Sequence, residues 1–428
     1  MLHAIVNRST PPSAPSAPLD TSPAASPQES TTPTPADFDQ LILDLQQGNG
    51  AAAASRLARQ PALATMTDSQ GNTALIVAAE HGALEAVSCL LEGPERARLD
   101  AANNAGDNAL LLATVHNHLE VVRQLISAGA NLEASGRYGN TPLILAADRN
   151  WTDVADALMD AGANVNAANH KGDTALIFAA IHGNRHLLLR LLAAGAHVHT
   201  RNSVGHTAVM MAARQNHADM VRDLIKVNAD IDGASHARYT ALILATEFLA
   251  IDTVRVLLDA NANVHLRTES GNTALSHAAQ KGHVAIFDAL VKANANVDTM
   301  NNAGATPMML AAENGHVDVL VRLLKADANR DATDHLGNTA LIRASEKGQH
   351  EVVRTLIAAR ANVHARDHHG NAALMTAAAN GKTDIVRQLV NAGANVYARN
   401  EAGHTAAQLA LHAGHRDVVK LLEAPPLG

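Results

Sequence analysis

The sequence is nearly without aromatic residues: four Phe, three Tyr and one Trp in 428 residues. A conventional globular core takes much of its buried area from such side chains. A core here has to be assembled from Ala, Leu, Val and Ile in thin layers. The one cysteine, Cys89, excludes an internal disulfide and fits a reducing, cytoplasmic compartment. No apolar run is long enough to span a bilayer, and the stretch from Leu2 to Val6 is too short, and lacks the basic lead, for a signal-peptide core. The formal net charge is −8 and the basic residues are not clustered, so the footprint that binds a phosphate backbone is missing. Neither nucleic acid nor membrane is an expected partner.

What is present divides the chain in two. Residues 1–36 are rich in Pro, Ser, Thr and Ala, with few charges and almost no large apolar residue after Val6. Such a segment cannot bury enough surface to offset its ordering entropy and is expected to be disordered. From Asp37 the composition changes abruptly and a period sets in. Glycines fall at 139, 172 and 205, then at 271, 304, 337, 370 and 403, in steps of 33; the missing one lands on Arg238. Gly106 keeps the period, while Gly71 is two residues early, which places an insertion near Gly93-Pro94-Glu95. Two residues after each of these positions stands a Thr (73, 141, 174, 207, 240, 273, 306, 339 and 405), replaced by Asn108 and Ala372 in two units.

Each unit has a physical reading. The Thr is an N-cap whose hydroxyl can accept from a free N–H of the first helical turn. Ala or Pro follows, and Pro142 and Pro307 sit where a missing N–H costs nothing. A short Ala-rich helix then ends at a Gly/Asn column (Gly82, Asn117, Asn150, Gly183 and onward), whose residues tolerate the left-handed conformation that stops a helix. A second helix carries apolar pairs one turn apart, such as Val121-Val122 with Leu125-Ile126, and stops at a second Gly/Asn column.

Units such as Gly-Asn-Thr-Pro-Leu at 139–143, Ala-Ala-Glu-Asn-Gly-His-Val-Asp-Val-Leu at 311–320 and Ala-Gly-Ala-Asn-Val at 392–396 resemble ankyrin repeats. The resemblance covers nearly everything after the tail. Residues 37–66 read as a degenerate N-terminal capping repeat, 67–424 as eleven repeats, and 425–428 as a C-terminal tail. It implies an all-α repeat solenoid, with helix–turn–helix units joined by β-hairpin-like loops and stacked into a curved superhelix. One unit alone cannot offset its backbone entropy of roughly 1–2 kcal/mol per residue, so the units should fold as one array. Arg416, Asp417, Lys420 and Glu423 suit a polar C-terminal cap, and Pro425-Pro426 stops the last helix. One departure is systematic. The family's usual His after Thr-Pro-Leu is replaced by an apolar residue, among them Ile76, Ile144, Ile177, Met210 and Ile342, so a Thr–His hydrogen bond gives way to an apolar contact.

Catalytic patterns fail. Gly381-Lys382-Thr383 ends like a phosphate loop, but Thr376 stands where its first glycine belongs, and the trio lies between two helices. His350-Glu351 opens a zinc-protease pattern that Arg354 breaks. Cys89 reads as a core or surface residue of a second helix. Most of the 24 histidines fall into repeat columns. His118, His217, His283, His316 and His415 follow the turn residue. His199, His265 and His364 share a loop column with Asn166, Asp232, Asp298 and Asp331, where polar groups are expected to bond loop backbone. His335, His364, His368 and His369, near Asp334 and Asp367, are the one candidate metal cluster. Stacked units about 8–10 Å apart make convergence on one zinc awkward. No enzyme activity, cofactor or metal is expected, a metal-binding protein being the remote alternative.

The resemblance implies that a partner contacts the hairpin tips and the inner face of the first helices. The matching columns are the two residues before the hairpin Gly, the one after it, and the two before the turn residue. The sixth unit breaks two rules: Arg238 replaces the hairpin Gly and Leu249 the turn Gly. Tyr239 and Phe248 also add aromatics to a chain that hardly uses them. Aromatic and Arg side chains dominate interface hot spots. The candidate patch therefore runs across units three to six: Tyr138, Arg149, Ile181, His182, Arg214, Tyr239 and Phe248. The competing reading is that unit six has drifted, with Phe248 and Leu249 packing inward. Trp151, the lone tryptophan, occupies the column otherwise favouring His. The functional expectation is a monomeric protein-interaction scaffold. The alternative is a secreted bacterial effector acting on a host protein, because the uncharged Ser/Pro/Thr tail resembles type III export signals.

Overall fold

The computed structural model describes residues 32–93 and 98–423. The tail over residues 1–31, most of the insertion after Gly93 and the Pro425-Pro426 stop lie outside the described residues. The first helix, Pro35–Gln46, takes in Pro35 and Ala36, which composition assigns to the tail. The reason is local. The Thr34 side chain accepts from the Asp37 N–H, and the Asp37 carboxylate accepts in return from the Thr34 N–H at 2.9 Å. That reciprocal cap, with Pro at the first helical position, starts a helix where a composition count sees only Pro, Thr and Ala.

The described residues hold 24 α-helices, one 3-10 turn (Pro61–Thr65) and no strand; isolated antiparallel bridges such as Ala168 with Thr174 mark some of the hairpins. Helices Pro35–Gln46 and Gly50–Arg59 come first, and eleven helix pairs follow, from Ala74–Glu80 with Leu84–Glu92 to Ala406–His412 with Arg416–Glu423. Units three to seven begin with the helices Pro142–Asp148, Ala175–His182, Ala208–Arg214, Ala241–Glu247 and Ala274–Lys281.

The caps act as their chemistry demands. Thr174 accepts from the Ile177 N–H at 3.3 Å, and Asn108 does the same for Leu111 at 2.9 Å; Ala372, lacking a side-chain oxygen, caps nothing. The apolar residue that stands in for the family's His donates its backbone N–H to this cap. Its side chain is buried, as at Ile76, Ile144 and Met210. The turn columns are left-handed whatever residue fills them. Asn150 has φ +59°, and in the sixth unit Arg238 and Leu249 have φ +62° and +61°. The second helix's stop column is completed by Asp327 and Arg360, at φ +56° and +59°.

Neighbouring first helices pack against each other more closely than neighbouring second helices do, which bends the stack toward the first helices. The core between the two layers is built from Ala and branched aliphatics, for example Leu143, Ala146, Ala147, Val154 and Leu158 in the third unit. A ladder of backbone hydrogen bonds ties successive hairpins together. The N–H groups of His170, Ser203, His236 and Glu269 donate to the carbonyls of Tyr138, Lys171, Val204 and Ala237, at 3.0, 2.7, 3.0 and 3.0 Å. The array is therefore continuous through the atypical sixth unit.

Candidate partner-binding surface

The hairpins are held by side chains within the loop. Asn169 accepts from the N–H groups of Lys171 and Asp173, both at 2.9 Å, and its amide donates to Asn140 of the preceding unit, also at 2.9 Å. Asn202 repeats the arrangement one unit on. In a neighbouring loop column Asn166, Asp232, Asp298 and Asp331 each accept from a backbone N–H of the next unit at 2.8–2.9 Å. The side chains of His199, His265 and His364 share that column but make no such bond among the described residues.

The column after the turn residue stitches units together. The His118 ring donates to the Glu80 carbonyl at 3.0 Å and the His316 ring to the Gln280 carbonyl at 3.0 Å. Gln349 reaches Glu313 in the same way, and the Trp151 indole lies 3.4 Å from the Val115 carbonyl. The ring fills the space left open by the preceding unit's turn glycine: a Cβ on Gly82 would stand 2.6 Å from His118 Nδ1. In unit six the turn residue is Leu249, which has a side chain of its own, and His283 points elsewhere, its Nδ1 accepting from the Ile286 N–H at 3.2 Å. Trp151 thus belongs to a structural column rather than to the candidate patch.

The inner face lies on the other side of the first helices. Of the candidate residues, Tyr138 is 67% exposed at a hairpin tip and Phe248 is 48% exposed at the end of its helix. Arg149, His182 and Arg214 are exposed, while Ile181 and Tyr239 are half-buried against the core. Inward packing of unit six does not occur, since Leu249 is exposed as well. Arg214 and Phe248 come together across the unit boundary, with the guanidinium carbon 4.5 Å from the ring centroid, a cation–π distance. Arg149, Ile181 and His182 stand at the ends of successive first helices, and Tyr138 lies in the hairpin before the first of them.

One column of this face escapes the sequence reading: the fourth residue after the capping Thr. It carries Leu145, Phe178, Met211 and Leu244 in units three to six, then His277, Leu310, Arg343 and Thr376. Leu145 and Phe178 are partly exposed. Arg343 shows where the column points, because its guanidinium bridges Asp334 of its own hairpin at 2.7 Å and Glu313 of the preceding helix at 2.8 Å. The available signal is the presence of His, Arg and Thr in an otherwise apolar column.

Electrostatics follow burial. Burial pushes the His277 imidazole below its usual pKa, Glu247 opposing and Lys281 adding to the effect. The ring is 5% exposed, its centroid is 6.0 Å from that of Tyr239, and its Nε2 has no hydrogen-bond partner among the described residues. His206 is lowered too, by burial and then by Arg214. Burial, with Glu247, raises the Tyr239 hydroxyl. At Asp334 burial acts to raise the pKa, but the hydrogen bonds from Arg343, Asn338 and Leu336 outweigh it and hold the carboxyl below its ordinary value.

The candidate metal residues have other engagements. The Asp334 carboxylate is taken by Arg343 and the Asn338 N–H, and Asp367 accepts from the N–H groups of His369 and Asn371 at 2.8 Å. The His335 and His368 rings lie over Gly304 and Gly337 of the preceding hairpins. Cys89 is partly buried on its second helix, with Sγ 3.7 Å from the Ala54 carbonyl, and burial raises its pKa. No helix among the described residues is long and apolar enough to cross a membrane.

Comparison with curated proteins gives no match. The family described as ankyrin repeats (3 copies) matches residues 41–136, 129–202, 178–268, 209–301, 253–334, 275–367 and 341–425. These overlapping matches run through the whole stack of helix pairs, its hairpins and its inner face, so the chain belongs to the ankyrin repeat family, whose repeats are protein-interaction modules.

Proposed function

We propose that the array binds a protein partner through the hairpin tips and inner helix face of units three to six. Tyr138, Arg149, Ile181, His182, Arg214, Tyr239 and Phe248 form the patch. The observation that carries this reading is where a chain with eight aromatics puts them. Tyr138, Phe178, Tyr239 and Phe248 all lie on this one face, none fully buried, while Phe38 and Phe287 alone are sealed in the core. Of the other two, Trp151 serves the stitching column and Tyr397 stands exposed on a loop near the end of the stack. A fold that builds its core from Ala and Leu does not need aromatics on its inner surface. An interface gains most from them there, because rigid rings supply large contact area at low entropic cost. The role is that of a binding module with no chemistry of its own.

The test is affinity capture on the full chain beside a Tyr239→Ala/Phe248→Ala variant whose circular dichroism shows it folded. Proteins held by the parent and lost by the variant support the patch. A partner held equally by both places the binding surface elsewhere.

A further inference from the structure

The stack is not uniform in charge along its length. On the second helices most arginines are paired, Arg416 excepted: Arg123 with Glu120 at 2.9 Å, Arg322 with Asp288 at 2.8 Å and Arg387 with Asp384 at 2.8 Å, with Arg222 on Asp219 and Arg354 on Glu351 repeating the pattern. The inner face and hairpin tips of units three to six are different. Arg137, Arg149, Lys171, Arg214 and Arg238 are exposed there, and none has a carboxylate within ion-pair distance among the described residues. The binding columns hold four of these cations and the carboxylates Asp148, Asp173 and Glu247; with Arg238 at the hairpin-glycine position, five cations against three anions leave +2 on this face of a chain whose net charge is −8. Asp173 is also engaged, accepting from the Asn202 amide at 2.8 Å.

In units seven to ten the same columns, taken with the floor column, hold Lys281, Arg343 and Lys347 against Glu269, Glu313 and Glu346, three against three. Arg343 and Lys347 are ion-paired, and the floor turns polar at His277, Arg343 and Thr376. Units three to six therefore combine a partly exposed aliphatic and aromatic floor, Leu145 and Phe178, with cations that the protein leaves unneutralised.

We infer that the face of units three to six takes an acidic polypeptide segment that carries large apolar side chains among its carboxylates. This rests on the reading of that face as the partner surface and adds the chemistry of the partner. The apolar side chains cover Phe178, Leu145 and the Arg214–Phe248 pair, while the carboxylates reach Arg149 and Lys171. Charge complementarity selects the segment. A basic one meets unpaired cations here, whereas an acidic one finds a net positive strip on a chain that is negative as a whole, which favours this strip over the rest. Exposed charges of this kind are screened over about 8 Å at physiological salt, so the preference weakens as salt rises.

The experiment is selection from a random peptide display library on the full-length protein, followed by titration of selected synthetic peptides against parent, Arg149→Glu/Lys171→Glu and Arg149→Gln/Lys171→Gln. Arg214 is left in place because it stacks on Phe248. The expected result is enrichment of Asp and Glu together with Leu, Ile or Phe, about tenfold or greater loss of affinity in the charge-reversed variant, a smaller loss in the neutral variant, and weaker binding at high salt. Enriched peptides that are neutral or basic, or acidic peptides indifferent to the reversal, overturn the inference while leaving a peptide-binding module intact. If no peptide is enriched over the bare support, this inference fails, while the proposed function is decided separately by the affinity capture on the parent and the Tyr239→Ala/Phe248→Ala variant.

Discussion

Two glycines with the same left-handed backbone should respond very differently to alanine. Gly129, at φ +89°, has open space where a Cβ would go, whereas a Cβ on Gly82, at φ +68°, would enter the His118 ring. In Gly129→Ala the only native-state penalty is the left-handed backbone, about 1–2 kcal/mol for a residue with a Cβ. About 0.4–1 kcal/mol of that returns through the reduced freedom of the unfolded chain, leaving a cost of about 1 kcal/mol. Gly82→Ala carries the same backbone cost and also displaces the ring, breaking the 3.0 Å hydrogen bond to Glu80. That bond adds about 1 kcal/mol, for a total of about 2 kcal/mol. The excess should vanish when His118 is already Ala, a coupling of about 1 kcal/mol in a double-mutant cycle.

The assay is urea unfolding of the four variants in the cycle and of Gly129→Ala, followed by far-UV circular dichroism. The slope with denaturant is checked for constancy, because an array that loses cooperativity no longer yields a single free energy. Equal costs at the two glycines, or a cost at Gly82 that His118→Ala leaves unchanged, would refute the clamp. At Leu249 the molecule contains a turn with a large side chain, and His283 there makes no bond to the preceding unit and caps its own helix instead; past the smaller Asn117 the Trp151 indole still reaches Val115.

Three other outcomes follow from the same structure. Arg343→Met strands the Asp334 carboxylate, whose side chain is 1% exposed, and should cost about 3 kcal/mol; Asp334→Asn in the same chain should recover part of it in urea melts. The native Asp334 carboxyl is held low, so the pair's contribution is present above the ordinary carboxyl pKa of 3.8 and is lost as pH falls through the lower native value. His277 acts in the same sense at higher pH: its native pKa lies below 6.5, so the unfolded chain binds the proton first and stability falls as pH drops from 6.5 toward the native value. His277→Leu, matching Leu244 and Leu310 in its column, should flatten the urea midpoint between about pH 7 and 5, with His206 leaving a residual slope. An unchanged slope would show that His277 binds its proton equally in the folded and unfolded chains, so that burial does not lower its pKa. Arg238→Gly removes a strained φ of +62° at an exposed position and should raise stability by about 0.5–1 kcal/mol; a lower midpoint would show that the arginine makes a stabilising contact.

The period makes the fold legible because each local rule repeats where it can be compared with itself. Thr caps, left-handed turn residues and paired apolar rows in the second helix all point to one unit, and the units carry them in phase. What escapes the sequence lies where a local signal is hidden by composition or needs a neighbouring unit to be understood. Thr34-Pro35-Ala36-Asp37 is a helix start written in tail-like residues. His118 and His316 stand out as a column, but each bonds a carbonyl one unit back, a partner far away in sequence that the column itself does not name. The column of Leu145, Phe178, His277 and Arg343 lies four residues into a short Ala-rich helix, where nothing local marks the side that faces out. Only packing shows that Leu145 and Phe178 are half open to the inner face.

The sixth unit connects folding to function. A residue with a Cβ in the left-handed region costs about 1 kcal/mol or more, and unit six has Arg238 and Leu249 there. The hairpin ladder nevertheless runs through it unbroken: His236 donates to Val204 and Glu269 to Ala237. The neighbouring units therefore impose the backbone there, and the side chains at 238, 239, 248 and 249 are not what holds it in place. Arg238, Phe248 and Leu249 are exposed, and Tyr239 is only half-buried. Arg238 and Leu249 strain the backbone yet stay exposed, as does Phe248 beside Arg214, so two explanations compete: the partner surface proposed above, or drift that the neighbouring units absorb. Reverting Arg238 and Leu249 together to Gly should separate the two demands: the array keeps its helices, while a partner that uses this face binds more weakly through loss of the two side chains. Unchanged partner affinity in that variant would mean that the departures of unit six are drift that its neighbours tolerate.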